Sequence, residues 1–137
     1  MFNNKIHRFK PEDVNESTSG LAGRGSGFML RTTAPIVDTL DGNIISIGKA
    51  RDLHLDVKPV VPSEGVVIFD FGTGRHERSI GKVVLQWQAG TLEDPRFPPF
   101  SVTCDVCENS AVGLVFGRPF LEERARRWRR GGTRSGR

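Results

Sequence analysis

A small, mainly β domain with one short helix and a helix near the C-terminus is predicted by three features of the chain. The first is a β-branched, apolar run from Val66 to Phe71, closed by Gly72-Thr73-Gly74 and followed by a second alternating run from Arg78 to Trp87. Two such runs about a glycine-rich turn read as a β-hairpin. The second is a series of short apolar segments, Phe100 to Val106 and Val112 to Phe116, set apart by glycine and proline. The third is Gly117-Arg118-Pro119 ahead of Leu121, Ala125 and Trp128, which repeat at i, i+4 and i+7. Proline in the first turn lacks only an N–H that has no helical partner there, and the repeat gives one docking face.

Taken in order, residues 1–25 carry Ser-Thr-Ser-Gly and Gly-Arg-Gly-Ser-Gly clusters and few large apolar side chains. Such a composition offsets little ordering entropy, so it predicts a disordered N-terminal arm. Phe28 to Leu30 begins the domain, set at residues 26–128, with a turn near Thr33-Ala34 and a second strand from Pro35 to Asp38. Leu40-Asp41-Gly42-Asn43 is a turn signal, Ile44 to Ser46 a short strand, and Lys49 to Leu53 a short helix. Two prolines within residues 57–64 make that stretch an extended connector. Pro95, Pro98 and Pro99 break the chain before the next strand, and residues 129–137 form a basic, disordered tail.

The 137 residues suffice for one core. Apolar runs of about five residues fall far short of the ~20 needed to cross a bilayer, so no membrane partner is expected. The first twenty residues lack the apolar core of a secretory signal, so the expectation is a cytoplasmic or nuclear protein that is not secreted. Net charge is +4, yet residues 122–137 hold seven Arg against two Glu, and the rest of the chain sums to −1. An Arg-rich tail could attach to nucleic acid, but its ordinary role is a solvated end, and the chain lacks the basic-aromatic interleaving that base stacking requires. Cys104 and Cys107 stand as C-x-x-C, but the flanking Val102 and Val106 predict a strand, so they read as reduced structural thiols. With His7, His54 and His76 scattered, neither a metal site nor a cofactor is expected.

The segments PIVDTLDGNIISIGKARDLHL, VVIFDFGTGRHERSIGKVVLQW and VGLVFGRPFLEERARRW, in that order, resemble a retropepsin-like aspartic peptidase domain of cellular or retroelement-derived type. The resemblance spans residues 28–128, and G-R-P-F-L-E after an apolar strand is its most specific piece. It implies a closed acid-protease barrel with a flap hairpin, and an endopeptidase that works as a homodimer on a peptide or protein substrate. Asp38 from each copy would form the catalytic dyad, one carboxylate activating water while its protonated twin polarises the peptide carbonyl. Thr39 would fix the loop, and Phe71, Gly72, Thr73 and Gly74 would form the flap over the substrate.

The family pattern at this loop is D-[TS]-G, whereas this chain reads Asp38-Thr39-Leu40. Either Leu40 turns away because Asp41-Gly42 take up the bend, or it holds the two aspartates apart and impairs catalysis. Ala111-Val112-Gly113 also stands where an acidic residue often precedes the last apolar strand. The alternative is a non-catalytic member that keeps the barrel as a dimerisation or peptide-binding module.

Overall fold

The computed structural model describes residues 4–25, 27–89 and 98–135, with residues 128–135 described by backbone alone. The chain is mainly β, with ten strands and two helices among the described residues. The larger sheet contains β2 (Glu16–Gly23), β3 (Met29–Ile36), β4 (Ile44–Ser46), β5 (Lys58–Pro59), β8 (Gly81–Ala89), β9 (Phe100–Cys107) and β10 (Leu114–Val115). Its order is β10-β4-β9-β8-β2-β3, with β5 also on β8. A parallel bridge between Ile36 and Phe116 joins its two ends, so the sheet curls into a nearly closed barrel. A smaller sheet sets β6 (Val67–Asp70) between β1 (Lys5–Arg8) and β7 (His76–Arg78).

Period-2 alternation builds the barrel wall. On β8 and β9 the inward pairs are Val83 with Cys104, Leu85 with Val102, and Trp87 with Phe100. Lys82, Val84, Ser101 and Thr103 face outward, as expected for strands with one buried face. Trp87 is completely buried, with its ring edge-on to Phe116 at 4.9 Å and to Phe120 at 5.9 Å. Phe116 and Phe120 stack at 4.0 Å, so the C-terminal helix α2 (Arg118–Ser135) is anchored through its first turn. Edge-to-face and offset rings suit the aromatic quadrupole and add to simple burial.

Several expectations require correction. The N-terminal arm is not disordered over its described part: it supplies β1, a 3-10 turn at Pro11–Asp13, and β2. The small residues of β2 are a packing requirement, since a Cβ on Gly20 would lie 2.7 Å from Trp87 Cζ2 and 2.5 Å from the Gln88 carbonyl. No turn occurs at Thr33-Ala34; β3 runs unbroken and buries Thr32, Ala34 and Ile36 on alternate positions. The long hairpin is divided, because Ser79-Ile80 carries the chain from β7 in the small sheet to β8 in the barrel. Ser79 Oγ secures that crossing by donating to the Gly81 or the Val106 carbonyl, at 2.8 and 3.1 Å.

The short helix α1 spans Ile47–Asp52 and begins two residues earlier than expected, because Ser46 Oγ caps it by accepting from the Lys49 N–H. On α2 it is Phe120 and Leu121 that dock, with the Arg127 guanidinium over Phe100 at 5.4 Å, whereas Ala125 is exposed. The helix backbone continues to Ser135, through most of the expected tail. The predicted break at Pro95, the docking of the Trp128 side chain, and residues 136–137 lie outside what is described. No helix among the described residues is long and apolar enough to cross a membrane.

Both cysteines lie on β9 with free, buried thiols, Cys104 in the barrel core and Cys107 in a second cluster. Burial, reinforced by Glu77, pushes the Cys107 thiol from 9.0 up to about 12, and burial also raises Cys104. A raised folded-state value means the unfolded chain loses these protons first. Stability is therefore expected to hold below pH 9 and to decline as pH rises from 9 towards 12. Urea midpoints measured across that range check this, and a Cys107→Ala variant should show a shallower decline.

Candidate active site

Asp38 lies two residues past the end of β3, on a loop whose backbone is held at several points. Val37 N–H donates to the Phe116 carbonyl at 2.9 Å, and Leu40 N–H closes a turn onto the Val37 carbonyl at 3.2 Å. The returning chain crosses here: Arg118 N–H donates to the Leu40 carbonyl at 2.8 Å, and Gly117 lies against the Leu40 and Gly42 carbonyls. Buried Asn43 ties the crossing together. Its Oδ1 accepts from Gly117 N–H at 2.9 Å, its Nδ2 donates to the Thr103 carbonyl at 3.0 Å, and its own carbonyl accepts from Asp105 N–H at 2.8 Å. A buried side-chain amide so satisfied fixes one loop geometry, because any shift would strand polar groups away from water.

On this frame Asp38 and Thr39 are exposed and Leu40 points inward, only 2% exposed. Leu40 packs in the second apolar cluster with Val37, Ile44, Phe69, Cys107 and Val115. In the single chain the branched side chain of Leu40 thus leaves the exposed face, with the backbone bending again at Asp41-Gly42. The two loop carboxylates differ. Asp41 accepts from Arg118 Nη1 at 2.9 Å, whereas the Asp38 carboxylate has no ion-pair partner among the described residues.

The hairpin of β6 and β7 lies against the same cluster through Phe69 and Phe71, whose rings stack at 5.7 Å. Its tip is pre-bent, since Asp70 Oδ1 accepts from Gly72 N–H at 2.9 Å, an Asx-type turn that depresses the Asp70 carboxyl below its usual range. Gly72 and Gly74 sit at φ 78° and 84°, a region that glycine enters without steric cost. Of the four expected flap residues, only Phe71 joins the Leu40 cluster. Gly72, Thr73 and Gly74 are exposed, and the atoms nearest the open side of Gly72 are the Lys10 methylenes.

Sequence reasoning missed the N-terminal residues. β1 runs parallel to β6 with His7 opposite Phe69, and Phe9 N–H extends the pairing to the Asp70 carbonyl at 3.0 Å. His7 is 1% exposed, and its Nε2 lies 3.0 Å from Asp105 Oδ2. A carboxylate only accepts, so this bond is donated from Nε2, while the buried Nδ1 has no hydrogen-bond partner. Gly42 fits beneath the imidazole, where a Cβ would come within 2.7 Å of the ring. Phe9 and Val14 pack onto the Leu40 cluster, and Asn15 Oδ1 accepts from the Asp38 N–H at 2.7 Å. No apolar alternation marks Lys5-Ile6-His7-Arg8-Phe9, since the buried residue is His7 and Ile6 is exposed.

Among the described residues no group of three His, Cys, Asp or Glu side chains is arranged to hold a metal ion. The chain matches no protein-family model, and a search of curated proteins likewise gives no match.

Proposed function

We propose that the chain is a retropepsin-like aspartic endopeptidase domain acting as a homodimer, with Asp38 of each copy forming the dyad. The observation that supports this best is the exposed, unpaired Asp38 on a loop locked by the Asn43–Gly117 crossing, with Leu40 withdrawn into the core. A single copy brings one such carboxylate, so the chemistry needs two copies related by a two-fold axis. One ionised Asp38 removes a proton from water, and its protonated counterpart polarises the scissile carbonyl. Thr39 holds the loop, and the Phe71-Gly72-Thr73-Gly74 tip, bent at low steric cost, supplies backbone hydrogen bonds to an extended substrate.

Cleavage of an unfolded protein substrate at acidic pH, blocked by a pepstatin-type inhibitor, is the expected activity. Asp38→Asn should lower turnover by about a thousandfold or more while leaving the urea midpoint within error, because the side chain is exposed and unpaired. Turnover unchanged in that variant removes Asp38 from the mechanism. A non-catalytic peptide-binding role is favoured instead if extended peptides bind but no bond is cut in any condition.

A further inference from the structure

The N-terminal segment touches both the β6–β7 hairpin and the loop that carries Asp38. On one side its backbone pairs with β6, from Lys5 opposite Val67 to Arg8 opposite Asp70, and Lys10 lies along the glycine tip. On the other, His7 rests on Gly42, Phe9 and Val14 enter the Leu40 cluster, and Asn15 holds the Asp38 N–H. The contacts have the logic of a bound peptide. Main-chain bonds to a strand edge carry no sequence preference, while alternate side chains fill sockets: His7 at Asp105 and Gly42, Phe9 at the second apolar cluster. Ile6 and Arg8, at the intervening positions of the alternation, are exposed.

We infer that the edge of β6, together with the sockets for His7 and Phe9, is a peptide-binding groove, and that residues 5–9 are its tethered occupant. The partner it fits is an extended segment running parallel to β6, with an imidazole and an aromatic ring at alternate positions. Tethering keeps the occupant at a high effective concentration, so a free peptide competes only when the segment's own side chains fit poorly. The groove does not rest on the function proposed above.

The test uses the full chain with His7→Ala and Phe9→Ala, which empties both sockets while leaving the tether in place. A fluorescent peptide of residues 4–12 is titrated into the variant and the unaltered chain and followed by anisotropy. The expected result is saturable binding to the variant at least tenfold tighter than to the unaltered chain, lost when the peptide carries the same two alanines. Equal, negligible binding to both chains, with the variant still folded by near-ultraviolet dichroism, overturns the groove. Should the variant unfold, amide exchange of the unaltered chain decides: amides of β1 and β6 exchanging together, ahead of β9, support a detachable occupant, and exchange in step with β9 overturns it. Peptide binding in the absence of turnover leaves the groove standing and counts against the peptidase alone.

Discussion

Replacing Gly117 by alanine is expected to cost about 3–5 kcal/mol, enough to bring a domain of ordinary stability, about 5–15 kcal/mol, close to unfolding. The new methyl would lie 2.2 Å from the Gly42 carbonyl oxygen and 2.5 Å from that of Leu40. Both are backbone atoms of the loop that carries Asp38, so neither can rotate aside as a flexible side chain would. The loop would have to move, and in moving it would break the Gly117–Asn43 bond and the Arg118–Leu40 bond. A buried polar group left without its partner costs about 1–3 kcal/mol, and overpacking adds a similar amount. Gly48 offers the contrast. It lies within α1, its φ is not positive, and a Cβ there meets nothing within 4 Å. Gly48→Ala should therefore be neutral or stabilise by up to about 1 kcal/mol, through lower freedom in the unfolded chain. Urea unfolding of the two variants measures both, and a Gly117→Ala midpoint equal to that of the unaltered chain would refute the crossing as a keystone.

Leu40→Gly, which restores the glycine of D-[TS]-G, is expected to weaken the protein without quickening it. The Leu40 side chain fills the cluster beneath the hairpin, against Val37, Ile44, Phe69 and Val115. Truncating a buried leucine to alanine costs about 2–5 kcal/mol, and glycine adds about 0.5–1 kcal/mol of backbone freedom to be lost on folding. Because the side chain already points away from the exposed face, its removal opens no new approach between two copies of Asp38. Turnover measured well below the unfolding midpoint should stay at or below that of the unaltered chain. A gain in turnover would show that Leu40 does obstruct the loop in the proposed dimer.

What the sequence reveals and what it conceals follow from how far each residue must look for its partner. The alternation on β9, the glycine tip of the hairpin and the Gly-Arg-Pro start of α2 are local signals, and all three appear where local rules place them. β2 is concealed because its serine, glycine and alanine positions look like a flexible composition. They become a strand only when Trp87, more than sixty residues away, demands a floor without side chains. β1 is concealed for a related reason: of its four residues only His7 is buried, and that burial is stabilised by Asp105 and Gly42, both distant in sequence. The division of the long hairpin turns on Ser79, whose hydroxyl reaches the β9 backbone, a contact that no pattern of apolar residues encodes.

The loop itself shows both regimes. Asp38-Thr39 at the end of a strand is recognisable as a motif, but the direction of Leu40 is a tertiary outcome, set by the space beneath Phe69. Asn43 reads as one more turn residue beside Asp41-Gly42. Its part as the buried link to Gly117 is visible only once the last strand is in place.

The position of β1 also bears on self-association. Val66 to Phe69 is an apolar, largely β-branched run, the kind of segment that stacks into cross-β aggregates when its edge is bare. In the small sheet this strand is interior, flanked by β1 and by β7, whose residues include Lys5, Arg8, His76, Glu77 and Arg78. Charged outer strands discourage the addition of further chains. β1 thus acts as a gatekeeper, turning a sticky ribbon into one that repels its own kind.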